Sequence, residues 1–443
     1  MSDQSATTSS KAIDEVKNSS SPSSLPDVPD GGFQAWLTVV AAAVTLFASF
    51  GVVNAFGIFQ SYYEDNRLNH ENSAVISLIG AIQLFLLYGL GPLFGKIFDS
   101  YGTILFPLGT FCIVFAQMML SITQPNKAYQ YFLSQSVLFG LGSAMVFTPA
   151  LAIISHYFRK RRGYAFGFVA SGSSIGGVLF PIIYQQLFIQ IGFGWSVRIT
   201  AFICLACLVF VSLVLRTRLP LKPTTRRELF HFIDLGGFKD ARYCCAAAAA
   251  FFTFYGLFIP YFYIKQYAEL RGMSTGLSQY MLPIINASTI PSRIIPGLIA
   301  DKTGPLNLLV PMTLLSGILC LALWLPPGDN ISIILFAVLY GLFSGQFVSL
   351  LPTYIARITP QPVYGARLGA VYMVVAVANL VGTPTGGGLV QGGTEDKFRH
   401  LIGFTGAMVT VGGLFAGVAW MLEARRILRS TPREKLTWRS FQI

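Results

Sequence analysis

Charge is scarce in this chain: 11% of its 443 residues are Asp, Glu, Lys or Arg, while 53% are hydrophobic. A water-soluble domain uses roughly 25% charged residues to cover its surface, so the deficit points to lipid as the main solvent. Histidine is nearly absent, with four residues scattered along the sequence. That leaves no H-E-x-x-H or similar cluster for a metal. The six cysteines lie in or beside apolar runs, without the His or loop context of a zinc site. Cys204 and Cys207 have C-x-x-C spacing, but the stretch 202–211 around them is wholly apolar, so they read as small packing hydrophobes. No Walker-type phosphate loop is present, so neither ATP use nor a cofactor is expected. Residues 1–30 lack the apolar h-region of a signal peptide.

What the chain has is apolar length. A hydrocarbon core needs about 20 apolar residues per helix. Twelve runs qualify: 35–60, 74–97, 103–121, 130–153, 164–188, 196–215, 242–264, 276–299, 306–325, 331–355, 366–390 and 400–422. The fifth and eleventh are rich in Gly, Ser and Thr, as befits helices that face other helices or a cavity rather than lipid. The fold predicted is an all-α membrane protein of twelve transmembrane helices in two six-helix halves. Residues 1–33 read as a disordered cytosolic tail, 34–215 as the first half and 216–241 as a basic cytosolic linker. Residues 242–422 form the second half and 423–443 a basic cytosolic tail.

The net charge of +12 suggests a nucleic-acid partner only if the cations share one face; here they lie between apolar runs. Of 31 Lys and Arg, 23 fall in the tails and alternate loops of one side and seven on the other. The positive-inside rule therefore places both termini in the cytosol. The expected surroundings are a lipid bilayer and a small-molecule substrate, with no nucleic acid.

The two halves repeat. Gly95-x3-Asp99-x2-Gly102 follows the second run, and Gly297-x3-Asp301-x2-Gly304 follows the eighth, each position 202 residues on. Gly163 and Gly167 recur as Gly365 and Gly369 at the same offset. A duplicated six-helix unit of this kind is the parallel repeat of facilitator-type carriers. In each copy the turn carboxylate is placed to meet the positive N-terminus of a neighbouring helix, so these six loop residues are the expected conformational elements.

The segment Gly91–Gly102 resembles the loop signature of the major facilitator superfamily. The stretch from Asp30 through Gly31, Gly32, Phe33, Gln34 and Ala35 to Trp36 resembles a signature of its monocarboxylate porter family, with one residue inserted before Trp36. Tyr157–Gly167, with its basic run Arg159–Arg162, resembles that family's second signature. The likeness spans all twelve runs and is closest to the fungal branch. It implies a secondary carrier in which the loop carboxylate latches the outward-open state.

Within the runs one charge stands out, Arg293. Intramembrane charge is costly and marks function by default. A guanidinium facing a central cavity binds a carboxylate through two parallel bonds, and the resemblance implies that role here. The bland alternative is an arginine snorkelling to the cytosolic boundary, since Arg293 lies ~10 Å past the middle of its run at 1.5 Å per residue. Animal members of the porter family carry an Asp four residues earlier and a Lys in the first helix, where this chain has Thr289 and Asn54. Asn286, Gln346 and Asn379 are further polar candidates for substrate contact. Asn330-Ile-Ser332 is a glycosylation sequon in an expected outer loop.

The leading expectation is a gradient-driven or facilitative carrier of an organic anion or small metabolite. Export of a fungal secondary metabolite and import of a monocarboxylate or vitamin-like acid both remain open. A transporter-like nutrient receptor would need longer tails for partners. A membrane enzyme would need paired carboxylates, a Ser–His pair or a metal cluster, and the sequence offers none.

Overall fold

The computed structural model describes residues 30–158, 161–218, 234–326, 328–360 and 363–430. The expected tail up to Pro29, the cations Arg159 and Lys160, most of the linker and the last thirteen residues lie outside them.

Twelve long helical segments appear among the described residues. They are α1 (Phe33–Arg67), α2 (Ser73–Gly89 continued by Gly91–Tyr101), α3 (Leu105–Ser121) and α4 (Ala128–Ile154). Next come α5 (Arg162–Gln190), α6 (Gly192–Val214), α7 (Ala241–Leu270) and α8 (Met281–Thr303). The last are α9 (Leu306–Trp324), α10 (Asn330–Ile358), α11 (Tyr364–Val390) and α12 (Glu395–Ser430). Ten stretches are long and apolar enough to cross a bilayer. Leu90 breaks α2 and leaves its first piece at 17 residues, while Asn286, Thr289, Ser292 and Arg293 dilute the hydropathy of α8. Such a composition is tolerated only in a helix sheltered from lipid. Large apolar side chains point outward elsewhere, Phe111, Leu133, Leu213 and Ile189 among them. Lipid solvates these at no cost.

Most helices outrun their apolar runs by a turn, because polar end residues such as Lys302 and Thr303 continue the hydrogen-bond ladder into the interface. The eighth departs furthest at its start: Thr275–Ser278 is a separate turn, so α8 begins at Met281 rather than near 276. Its midpoint is Ser292. Arg293 therefore lies at the centre of its helix, not displaced towards the cytosol, and Asn286 lies in the second turn rather than near the middle.

The halves meet along two seams. In one, α5 runs against α8; a Cβ at Gly167 would lie 2.4 Å from the Arg293 carbonyl oxygen. In the other, α11 runs between α2 and α7; a Cβ at Gly382 would lie 2.3 Å from Tyr255 O, and one at Gly387 2.8 Å from Ala74 Cα. Small residues let the backbones approach, since packing rather than hydrophobicity drives association in lipid. This is the role that the Gly- and Ser-rich composition of α5 and α11 predicted.

Gly102 and Gly304 close the two copies of the loop signature with φ of +66° and +96°, a region open to Gly and strained for other residues. A side chain at Gly95 would meet Thr148 of α4 at 3.2 Å, whereas one at Gly297 would meet Gly163 O at 2.6 Å, across the seam.

Candidate functional site at the interface of the halves

On the face that carries the linker, Asp301 accepts hydrogen bonds from the backbone N–H of Gly163 (3.0 Å) and Tyr164 (3.1 Å). These belong to the first turn of α5, whose donors have no intrahelical partner. The carboxylate of the second repeat thus grips the N-terminus of a helix in the first half, with the dipole in its favour. Asp99 has partners of its own. Beside this clasp the guanidinium of Arg162 sits 4.7 Å over the Tyr364 ring of α11. The two signature stretches also converge here. Asp30 N donates to Tyr157 O at 3.0 Å, and Trp36 stands edge-on to Phe158 and Tyr164 at 5.3 and 5.6 Å.

Nearby, the linker is pinned to the second half. Asp234 pairs with Arg367 at 2.9 Å. That bond, helped by the Gly236 N–H, holds the Asp234 carboxyl below its usual range. Asp240 caps α7 and binds Arg242, which also reaches Glu423 of α12 at 2.5 Å. Arg242 likewise holds the Asp240 carboxyl low.

At the centre, Arg293 is 3% exposed. Its Nη1 donates across the seam to Ala170 O at 2.6 Å and to the Ser173 hydroxyl. The snorkelling alternative fails on this geometry: the guanidinium turns into the protein, not along the membrane. Among the described residues it forms no ion pair, and its Nε has no partner. The phenols of Tyr88 and Tyr261 lie within electrostatic reach.

Asn54 reaches the same turn of α5, donating to Ser173 O at 3.3 Å. Thr289 lies 2.7 Å from the Ser174 hydroxyl. The Asn286 amide oxygen faces Gly177, where a Cβ would stand 2.3 Å from it. Arg293, Asn54 and Asn286 therefore converge on the segment Ala170–Gly177. Gln346 and Asn379 do not join them. Gln346 donates to Thr313 of α9 at 3.3 Å, and Asn379 to Val375 O of its own helix at 2.9 Å. Each of these four amides keeps a buried oxygen without a protein partner. Such orphans are rare, and each calls for an explanation.

The surroundings are aromatic. Phe50 of α1 lies 5.8 Å from Phe147 and 6.2 Å from Phe258 of α7. Tyr88 of α2 lies 5.6 Å from Phe254 and 5.4 Å from Tyr372 of α11. All of these contacts but Phe50–Phe147 cross between the halves. Sequence reasoning missed Ala170, Ser173, Ser174 and these rings; the one available signal was the Ala-Ser-Gly-Ser-Ser run of α5.

Asn330 is exposed in the first turn of α10, where Asp329 accepts from Ser332 N at 3.0 Å and from its hydroxyl at 2.8 Å.

A sequence profile described as Major Facilitator Superfamily matches residues 32–333 and 297–442. The chain is 41% identical over 392 residues to the MFS-type transporter opdF of Penicillium oxalicum, covering 88% of this chain and 91% of that one. It is 39% identical over 417 residues to the aspyridones efflux protein apdF of Emericella nidulans, covering 94% and 83%. To the agnestins efflux protein of Paecilomyces divaricatus it is 36% identical over 405 residues, covering 91% and 90%. Its fold is similar to that of a peptide transporter, POT, in complex with sulfate: the TM-score is 0.66 at 16% identity, over 91% of this chain and 97% of the other.

Proposed function

Because the chain belongs to the major facilitator superfamily, we propose that this multi-pass membrane transporter exports a largely apolar, unsaturated metabolite that carries one acidic oxygen. The observation that carries this reading is Arg293: a buried cation at the contact of the halves, without a carboxylate partner among the described residues, with the phenols of Tyr88 and Tyr261, one from each half, within electrostatic reach. An acidic group would pair with the cation, and rings suit flat, unsaturated carbon. A cation kept without a counter-ion costs several kcal/mol, a cost that binding an anion relieves.

Transport follows from the seams. Rocking of one half against the other would separate the rings and expose the centre to one side at a time. The acidic group would meet Arg293, and the free amide oxygens of Asn54 and Asn286 would accept from hydroxyl or N–H groups elsewhere on the substrate. Gln346 and Asn379 stand further down the order of substrate contacts, because their bonds lead elsewhere. Asp99 and Asp301, with Gly95, Gly102, Gly297 and Gly304, form the turns that clasp the cytosolic side in one state and release it in the other.

Export is favoured over import for two reasons. Relatives of similar length are named as efflux proteins, and Thr289 and Asn54 replace the ionisable groups expected of proton-linked monocarboxylate uptake. The membrane assigned in this reading is the plasma membrane, with Asn330 on the outer side as glycan acceptor; a glycosidase mobility shift lost in Asn330→Gln checks that placement. The deciding experiment is deletion and re-expression in a fungal host. Export predicts resistance to an added acidic aromatic metabolite, and import predicts growth on a sole carboxylate. Growth on the carboxylate without resistance would overturn the reading.

A further inference from the structure

On the face opposite the clasp, one carboxylate joins the halves. Glu64, at the far end of α1, accepts a hydrogen bond from the Gln266 side chain of α7. Gln266 is 202 residues from Glu64, the same offset that relates the loop signatures. The two are therefore equivalent positions of the repeat and meet on its pseudo-twofold axis. That axis is where the halves must part for the far side to open. The contact is thus at the outer gate, and the repeat has filled its two equivalent sites differently: one acid, one amide.

The chemistry around Glu64 is neutral. Gln60 donates to it from 3.4 Å, and the Ser73 hydroxyl reaches it from the start of α2. Gln60 and Tyr263 beside it are fully buried. The charged or titratable groups facing it are Asp65 on α1 and Tyr263 on α7. Cations nearby are engaged elsewhere: Lys265 lies 3.9 Å from Glu269, and Arg67 lies 4.5 Å over the Phe193 ring. Among the described residues Glu64 forms no ion pair.

We infer that Glu64 is a proton-binding site in the outer gate, and that protonation holds this gate shut. With the gate closed, the carboxylate is partly desolvated, and this burial penalises its charge by more than the three neutral donors restore. When α7 withdraws, Gln266 leaves and water solvates the charged form. The closed gate therefore binds the proton more tightly than the open one. By linkage, acid on the outer side favours closure and alkali favours opening. The gate stands apart from substrate identity; only its use in transport rests on the export reading.

The test is hydrogen exchange on the full chain in lipid nanodiscs, without substrate, corrected for intrinsic rates. It follows the outer ends of α1 and α7, residues 56–67 and 259–270, with α3 and α9 as folding controls. In the unaltered chain protection at ~pH 5 should exceed that at ~pH 8 by about twofold or more, since only part of the difference in proton affinity is expressed above the range of a solvated carboxylate. Glu64→Gln, which mimics the protonated acid, should be protected at both. Gln266→Glu places a second carboxylate on the axis and should steepen the pH dependence through like-charge repulsion. Protection in the unaltered chain that ignores pH or rises with it would overturn the inference. So would a Glu64→Gln variant that tracks the unaltered chain, or a Gln266→Glu variant with unchanged dependence. A pH-sensitive gate in a chain that exports nothing would instead sink the export reading and leave the gate standing.

Discussion

Replacing Arg293 by Met keeps an apolar stem of similar reach and removes the cation. The acceptors it leaves are Ala170 O and the Ser173 hydroxyl. Neither becomes an orphan, because the Ser173 hydroxyl itself lies 2.8 Å from Ala170 O and donates to it. The variant gives up hydrogen bonds to a charged group, about 1.5–3 kcal/mol each. It also sheds the effective penalty of several kcal/mol for a buried charge without a counter-ion. These oppose one another, so stability should change by less than about 2 kcal/mol, in either direction. Transport has no such compensation. Losing one charge-assisted bond to the substrate costs about 1.5–3 kcal/mol, which is ~10- to 150-fold in affinity. Arg293→Lys keeps the charge but loses the planar fork and should fall between. The assay pairs initial efflux rates from loaded proteoliposomes with thermal unfolding of the same preparation. An Arg293→Met protein that transports within about threefold of the unaltered one would refute the assignment. So would one whose unfolding drops by the ~3–5 kcal/mol typical of a broken structural ion pair.

Three further outcomes follow from contacts elsewhere. In Gly172→Ala the new Cβ would lie 2.1 Å from Ala43 O of α1, and backbone on both sides leaves nowhere to yield; thermal unfolding should show a loss of about 1–3 kcal/mol. Asp301→Asn removes the charge from two bonds to the first turn of α5, so hydrogen exchange of residues 162–166 should rise by about tenfold, the equivalent of ~1.4 kcal/mol. The Asp234–Arg367 bond lowers the folded-state value of that carboxyl. Its contribution is therefore present above the unfolded value of about 3.9 and is lost as pH falls through the lower folded value. Stability measured between ~pH 5 and ~pH 2 should fall less steeply in Arg367→Gln.

The architecture was legible because two signals are one-dimensional. Apolar length sets the spans, and the 202-residue echo of Gly95, Asp99 and Gly102 divides the chain into like halves. Arg293 was legible because charge within an apolar run needs no partner information to be conspicuous. Its surroundings were hidden for the opposite reason: Ala170 contributes a backbone oxygen and Ser173 one hydroxyl among many, and neither residue type announces contact with a helix some 120 positions away. Helix ends also misled. Counting apolar residues placed the start of the eighth span too early and so moved Arg293 off centre, because Thr275–Ser278 is a turn of its own. Gln346 illustrates the limit of depth as a guide. It is fully buried, yet its amide bonds Thr313 on α9 rather than the seam; depth says how far along a helix a residue lies, not which way it faces.

The central claim is outward movement of an acidic, unsaturated metabolite past Arg293. Its most direct measurement is uptake into inside-out membrane vesicles of a panel of aromatic and aliphatic acids with their neutral esters, for the unaltered chain and Arg293→Met, with the acid–base gradient set and collapsed. The account predicts saturable accumulation of the aromatic acids, weak uptake of the esters and loss of the difference in Arg293→Met. Accumulation of acid and ester alike, unaffected by Arg293→Met, would contradict it.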